Sequence, residues 1–182
     1  MEIRPLRAGD TDALRALSLE TTPLRKRLQS ERFVIQLICC QYYLDSEPDH
    51  CFVAAEEGRA VGALLCASNF GDYMRRFTER IYPRCKPYGY GAQSLARQCV
   101  YTHKRFAGRY PAHCQCLWPD GRQDLAAPLF EALFAHLEAL ECRGICVFPG
   151  KKQAALQDSL EGLGFTYLDA SGIQRVMGKE LF

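Results

Sequence analysis

No apolar run in this sequence approaches the roughly 20 residues that a membrane-crossing helix needs, so no membrane span or membrane partner is expected. The opening MEIRPLRAGD carries charge where a secretory leader needs an apolar stretch; no leader is expected, and the expected compartment is the cytoplasm. Ten cysteines occur without one Cys-x-x-Cys pair, which removes the commonest zinc spacing. Cys114 and Cys116 share a strand face, and Cys142 with Cys146 brackets a helix end, but neither pair has the spacing of paired ligands. No metal is expected. A dominant charge of one sign is also missing, since the net charge is +2. The densest basic run, Arg25, Lys26 and Arg27 with Arg32 behind it, reads as the wet face of a helix, and no nucleic-acid partner is expected.

What remains is the composition of an ordinary globular chain, 48% hydrophobic and 24% charged. Its 182 residues suffice for one well-buried core, and the reading is a single domain over residues 1–182. Most cysteines, among them Cys39, Cys40, Cys51, Cys66 and Cys99, sit inside apolar runs, as core thiols do in a reducing compartment.

Glu2 to Leu6 alternates as a strand, with Asp10 placed to cap a helix carrying Leu14 and Leu17. Pro23 allows a second helical segment to start, and Phe33, Leu37, Cys40 and Leu44 keep helical spacing until Pro48. Cys51–Ala55 and Ala60–Ala67 form a hairpin about Gly58. Asn69 to Gly108 holds two helices around a loop, PRCKPYGYG, of the kind that lines binding sites.

The centre of the chain is Arg109 to Leu140. Ala112 to Trp118 is an apolar strand, and Leu125, Leu129, Leu133 and Leu137 recur every four residues on a helix behind a short polar loop. A strand from Ile145 to Phe148, a helix from Gln153 to Glu161 and two strands, Phe165–Asp169 and Ile173–Met177, complete the chain. The element order is β-α-α-β-β-α-α-β-α-β-α-β-β.

That order, with IRPLRAGDTDALRAL at the start, CFVAAEEGRAVGALL as a hairpin and LEGLGFTYLD near the end, resembles the GNAT acyltransferase superfamily over nearly the whole chain. Arg109, Tyr110, Pro111, Ala112 and His113 more narrowly resemble the acetyltransferase-like domain of protein O-GlcNAcases. The resemblance implies an α/β (α+β) GNAT fold, a mixed, mostly antiparallel twisted sheet with flanking helices. It also implies acetyl-CoA as co-substrate and transfer of acetyl to an amine of a small molecule or peptide.

In that family the fourth strand offers backbone to pantetheine, here Cys116, Leu117 and Trp118, and a [Gln/Arg]-x-x-Gly-x-[Gly/Ala] loop wraps the pyrophosphate with main-chain N–H groups. Two registers place the loop on this chain. Gly121, Asp124 and Ala126 take the key positions in one; Arg122, Leu125 and Ala127 take them in the other, which keeps both outer positions and is preferred. Neither keeps the first glycine. The implied cofactor loop is Arg122, Gln123, Asp124, Leu125, Ala126 and Ala127, with Gln153 where the family often has an asparagine. Asp124 would stand near the pyrophosphate, and Pro128 would delay the helix.

Leu160 stands where many members have a tyrosine acid. His113 and Cys116 remain as catalytic candidates, each with a plainer reading as a core histidine or a strand thiol. The alternative function is a non-catalytic GNAT-fold protein binding a small molecule or a protein. Tyr42, Tyr43, Tyr82, Tyr88 and Tyr90 would form an aromatic cleft wall or a homodimer face.

Overall fold

The computed structural model describes residues 1–21, 32–171 and 174–182. The run Arg25, Lys26, Arg27, the helix start expected at Pro23, residue Ile173 and the Cys99 side chain lie outside the described residues. Seven strands form one sheet in the order β1-β2-β3-β4-β5-β7-β6. They are β1 (Glu2–Pro5), β2 (Phe52–Glu56), β3 (Arg59–Ala67), β4 (Ala112–Leu117), β5 (Gly144–Val147), β6 (Thr166–Ser171) and β7 (Gln174–Glu180). Only β4 and β5 run parallel; every other pairing is antiparallel.

Along each strand successive side chains point to opposite faces, so alternate residues reach opposite sides of the sheet. One face carries Val53, Leu65 and Leu117, packed with Leu14 of α1 (Thr11–Thr21), Val34 and Ile35 of α2 (Arg32–Gln36) and Tyr43 of α3 (Tyr42–Ser46). The other carries Leu64, Cys114, Ile145 and Met177 beneath the helix expected after β4. The β2–β3 hairpin turns at Glu57 and Gly58, both at positive φ (49° and 77°). That conformation twists the turn to match its strands, and Gly58 adopts it without a Cβ penalty.

α2 and α3 are joined by a π-helical turn, Leu37–Gln41, into one helical run that Pro48 follows, as the spacing of Phe33 to Leu44 predicts. Asp10 differs from expectation. Instead of capping α1 it ends a short turn, Ala8–Asp10, and receives both Arg4 guanidinium nitrogens at 2.7 and 2.8 Å and the Arg7 N–H at 2.8 Å.

The stretch between β3 and β4 is helical throughout: α4 (Phe70–Arg76), a π-helical turn (Phe77–Ile81), α5 (Tyr82–Cys85), a single turn (Lys86–Tyr88) and α6 (Gly89–Lys104). The loop expected at PRCKPYGYG is thus a chain of helix starts. Pro83 and Pro87 each occupy the first turn of a segment, where no N–H is required, and Gly89 at φ 85° takes the change of direction. α7 (Ala126–Ala139) and α8 (Ala154–Gly162) complete the fold. Pro128 does not delay α7, because it too falls within the first turn. Among the described residues no helix is long and apolar enough to cross a membrane.

Candidate functional site

β4 and β5 pair only at Ala112↔Ile145, His113↔Cys146 and Cys114↔Val147. β4 then continues along β3 through Cys116↔Leu64 and Leu117↔Ala63, while the chain leaving β5 bends towards β7, where Gly150 bridges to Gln174. The two parallel strands therefore diverge, and the β5-facing edge of Gln115, Cys116 and Leu117 has no ladder partner among the described residues.

A cleft of about 430 Å³ opens at this divergence. Cys116 and Trp118 from the end of β4 and Pro119, Asp120, Gly121 and Gln123 from the following loop form one wall; Lys152 to Leu156, at the start of α8, form the other. The loop turns tightly, with the Arg122 N–H donating to the Pro119 carbonyl at 3.1 Å and Gly121 at φ 91°, where a side chain would be strained. A short turn, Gln123–Leu125, leads into α7. No side chain caps this turn or the N-terminus of α8. The first-turn N–H groups and dipole-positive end of α8 thus face the start of the Gln123–Leu125 turn across one cleft, with Lys152 the cation and Asp120 the anion among its described lining residues.

Of the residues expected to hold a cofactor, Cys116, Trp118, Gln123 and Gln153 line the cleft. Leu117, Arg122, Asp124, Leu125, Ala126 and Ala127 do not. Leu125 is fully buried and points under β3, with its Cδ1 2.7 Å from where a Cβ on Gly62 would be, so its bulk is taken by the core. Asp124 is turned to Arg122, which binds both its oxygens at 3.0 Å and reaches Glu56 at 2.7 Å. The Arg122 guanidinium beside it holds the Asp124 carboxyl below the usual range. The Gln153 amide is already engaged, accepting from the Gly150 N–H at 2.6 Å and donating to the Thr21 carbonyl at 3.3 Å, which ties the start of α8 to the end of α1.

The catalytic candidates are not brought together. Three residues apart on a strand, His113 and Cys116 take opposite faces. Cys116 is half-buried in the cleft. His113 is 3% exposed and lies in an aromatic nest, with Nε2 at 3.0 Å from the Tyr43 hydroxyl and its ring 4.5 Å from that of His103. Burial, then the neighbouring His103, holds its pKa well below the ordinary histidine value, so it is neutral and sealed from the cleft. Leu160 is fully buried. Tyr42 and Tyr43 are core residues, and neither they nor Tyr82, Tyr88 and Tyr90 line the cleft, which corrects the expected aromatic wall.

The described cysteines are all free; Cys116 is half-buried and the rest are buried. No group of three or more metal-ligating side chains occurs among the described residues. Lys152 and Asp120 were not anticipated. Lys152 directly precedes Gln153, and only the return of α8 against the end of β4 carries it into the cleft.

No protein-family model matches the chain, and no curated relative does. Solved structures do. SsHAT superposes with a TM-score of 0.86 at 20% identity, covering 100% of this chain and 98% of that one. An apo agmatine N-acetyltransferase mutant gives 0.64 at 15% identity over 98% of each chain. The PaiA N-acetyltransferase of Thermoplasma acidophilum, solved in complex with coenzyme A, gives 0.61 at 12% identity over 98% of each chain. The chain has the fold of these GNAT acetyltransferases.

Proposed function

We propose that the protein is an acetyl-CoA-dependent N-acetyltransferase whose acyl donor lies in the cleft beyond the β4–β5 pairing. The early end of that pairing carries the reading, because it leaves a strand edge free beside a cleft at the uncapped N-terminus of α8. An extended amide chain such as pantetheine fits that edge as an added strand would. A pyrophosphate fits the first-turn N–H groups of α8 and Lys152, beside the turn at Gly121 and Gln123. Asp120 works against that charge and lies at the exposed rim.

The bound thioester supplies an activated acetyl group. The chain's part is to hold it: backbone at Cys116, Leu117 and Trp118 aligns the carbonyl, and Trp118 with Leu156 excludes water from it. No histidine or glutamate lines the cleft among the described residues, so the incoming amine, on a small molecule or a peptide, gives its proton to solvent. Reaction by positioning can supply roughly 7–11 kcal/mol without a named base. The O-GlcNAcase-like branch is a finer reading that the run Arg109–His113 alone carries.

A second reading is a GNAT-fold binding protein without catalysis. The burial of Leu160 and the sealing of His113 favour it, since they leave the cleft no group poised to move a proton. Thermal-shift and calorimetric titration with acetyl-CoA and with free CoA separates the two. At about 100 times its dissociation constant a ligand stabilises the fold by about 2.7 kcal/mol. Stabilisation by acetyl-CoA, followed by thiol release on adding amines with agmatine first among them, is the expected result. No response to millimolar concentrations of either ligand assigns the second reading.

A further inference from the structure

β3 and β4 are hydrogen-bonded antiparallel neighbours, which a two-residue turn is enough to connect. Residues 68–111, 44 in number, intervene between Ala67 and Ala112. The sheet has no topological need of them. They carry nine Lys and Arg against two Asp and Glu, a net +7; because the whole chain is +2, the other 138 residues sum to −5.

The excess is arranged. α6 contains no acidic residue. Its buried side presents Ala92, Ala96 and Val100 to the core, and its outer side presents Tyr90, Arg97, Tyr101 and Lys104. At 3.6 residues per turn these four fall within about 60° of the helix circumference, with the two rings about 16 Å apart along it. Tyr90 is 80% exposed and Tyr101 62%, and among the described residues neither ring meets another ring or a cation. Arg97 and Lys104 form no ion pair among the described residues; the Arg97 guanidinium stands 5.4 Å over the Tyr82 ring, which fixes it at the surface.

We infer that this outer face of α6 binds single-stranded nucleic acid. Bare aromatic faces alternating with unpaired cations match a ligand that alternates flat bases with phosphates. An acidic protein segment would satisfy the cations and leave the rings in water. The inference reverses the expectation of no nucleic-acid partner, which rested on the Arg25 run and the neutral overall balance. It is independent of the acyl-transfer reading.

The test is fluorescence anisotropy of labelled oligo(U) and oligo(dT), ~20 nucleotides long, between about 50 and about 200 mM salt. The wild type is expected to bind with an affinity that falls steeply with salt. The double variant Arg97→Glu, Lys104→Glu should lose at least about tenfold in affinity and flatten the salt dependence. Tyr90→Ala with Tyr101→Ala should lose roughly tenfold while leaving the salt slope in place. All four positions are exposed, and unchanged melting temperatures establish that the variants fold. No binding by the wild type at about 50 mM salt, or tyrosine variants that bind as tightly as wild type, overturns the proposal. The latter result would mark a purely electrostatic surface, such as one for an acidic protein.

Discussion

Leu125 and Gly62 fill one space: the leucine Cδ1 stands 2.7 Å from the point that a Cβ on the glycine would occupy, with Trp118 Cβ 3.2 Å from the same point. The leucine in the loop after β4 is therefore accommodated by a missing side chain on β3. Gly62→Ala forces that contact and should cost about 1–3 kcal/mol. Leu125→Ala empties the space and should cost about 2–5 kcal/mol. The double variant should cost less than the sum, since the added methyl enters the cavity the leucine leaves. Urea denaturation of the four proteins reads the coupling, and strict additivity would show that the two residues do not share this space. Placing a glycine at position 125 is thus a stability change before it is a change in the cleft.

The Arg4–Asp10 pair gives a second expectation. Both side chains are nearly inaccessible, and the two contacts at 2.7 and 2.8 Å join β1 to the entry of α1. Asp10→Asn leaves the guanidinium buried opposite a neutral amide and should cost about 3–5 kcal/mol. Replacing Arg4 and Asp10 together by methionine and leucine should cost clearly less, because no charge is then left buried without its partner. Equal losses in the two proteins, measured as denaturant midpoints, would contradict this account.

Much of the fold could be read from the sequence, because its cues are local. The four-residue recurrence from Leu125 to Leu137 and the two short apolar runs on either side of Gly58 mark α7 and the β2–β3 hairpin as the structure has them. Pro83, Pro87 and Pro128 misled for a local reason too: proline breaks a helix interior but suits a first turn, and nothing nearby in the sequence says which position it holds. Of the residues that the family resemblance implied for a cofactor, Cys116, Trp118, Gln123 and Gln153 line one cleft and the rest do not. The inward turn of Leu125, the reach of Arg122 to Glu56 and the burial of His113 depend on residues more than 50 positions away, Gly62, Glu56 and Tyr43, which no window on the sequence joins.

The edge-to-face pair of buried histidines, His103 and His113, makes stability depend on mild acid. Burial lowers His103 to about 4, and burial, then the neighbouring His103, holds His113 well below the ordinary histidine value. The folded values lie below the unfolded one of about 6.5, so the unfolded chain takes up more protons as pH falls. The stabilisation is complete above about pH 6.5 and is lost progressively towards pH 4, at up to ~1.4 kcal/mol per pH unit for each ring. For His103 alone the loss by pH 4 is of order 3 kcal/mol. Asp10, the paired buried carboxylate, titrates below this window, since Arg4 holds it under its usual value. Denaturant midpoints should therefore fall between pH 6.5 and 4, and less so in His103→Gln. A midpoint level across that range would remove the argument.

Lys152 offers the sharpest test of the cleft. It is the one lysine or arginine lining the cleft among the described residues, it stands beside the uncapped start of α8, and its exposed side chain has no part in the core. Lys152→Ala should leave the melting temperature unchanged within a degree or so, as surface substitutions usually do. If the cleft receives the phosphates of acetyl-CoA, the lost charge-assisted hydrogen bond should weaken binding by about 1.5–3 kcal/mol, a factor of roughly 10 to 150 in dissociation constant. The wild-type affinity should also fall with rising salt more steeply than that of the variant. Asp120→Asn should move affinity the opposite way, by a smaller factor, because it removes a repulsive charge at the rim rather than a direct contact. Calorimetry on the three proteins at two ionic strengths decides: weaker binding in one variant and tighter in the other places the anion between these two side chains, whereas equal affinities in all three would put the phosphates elsewhere.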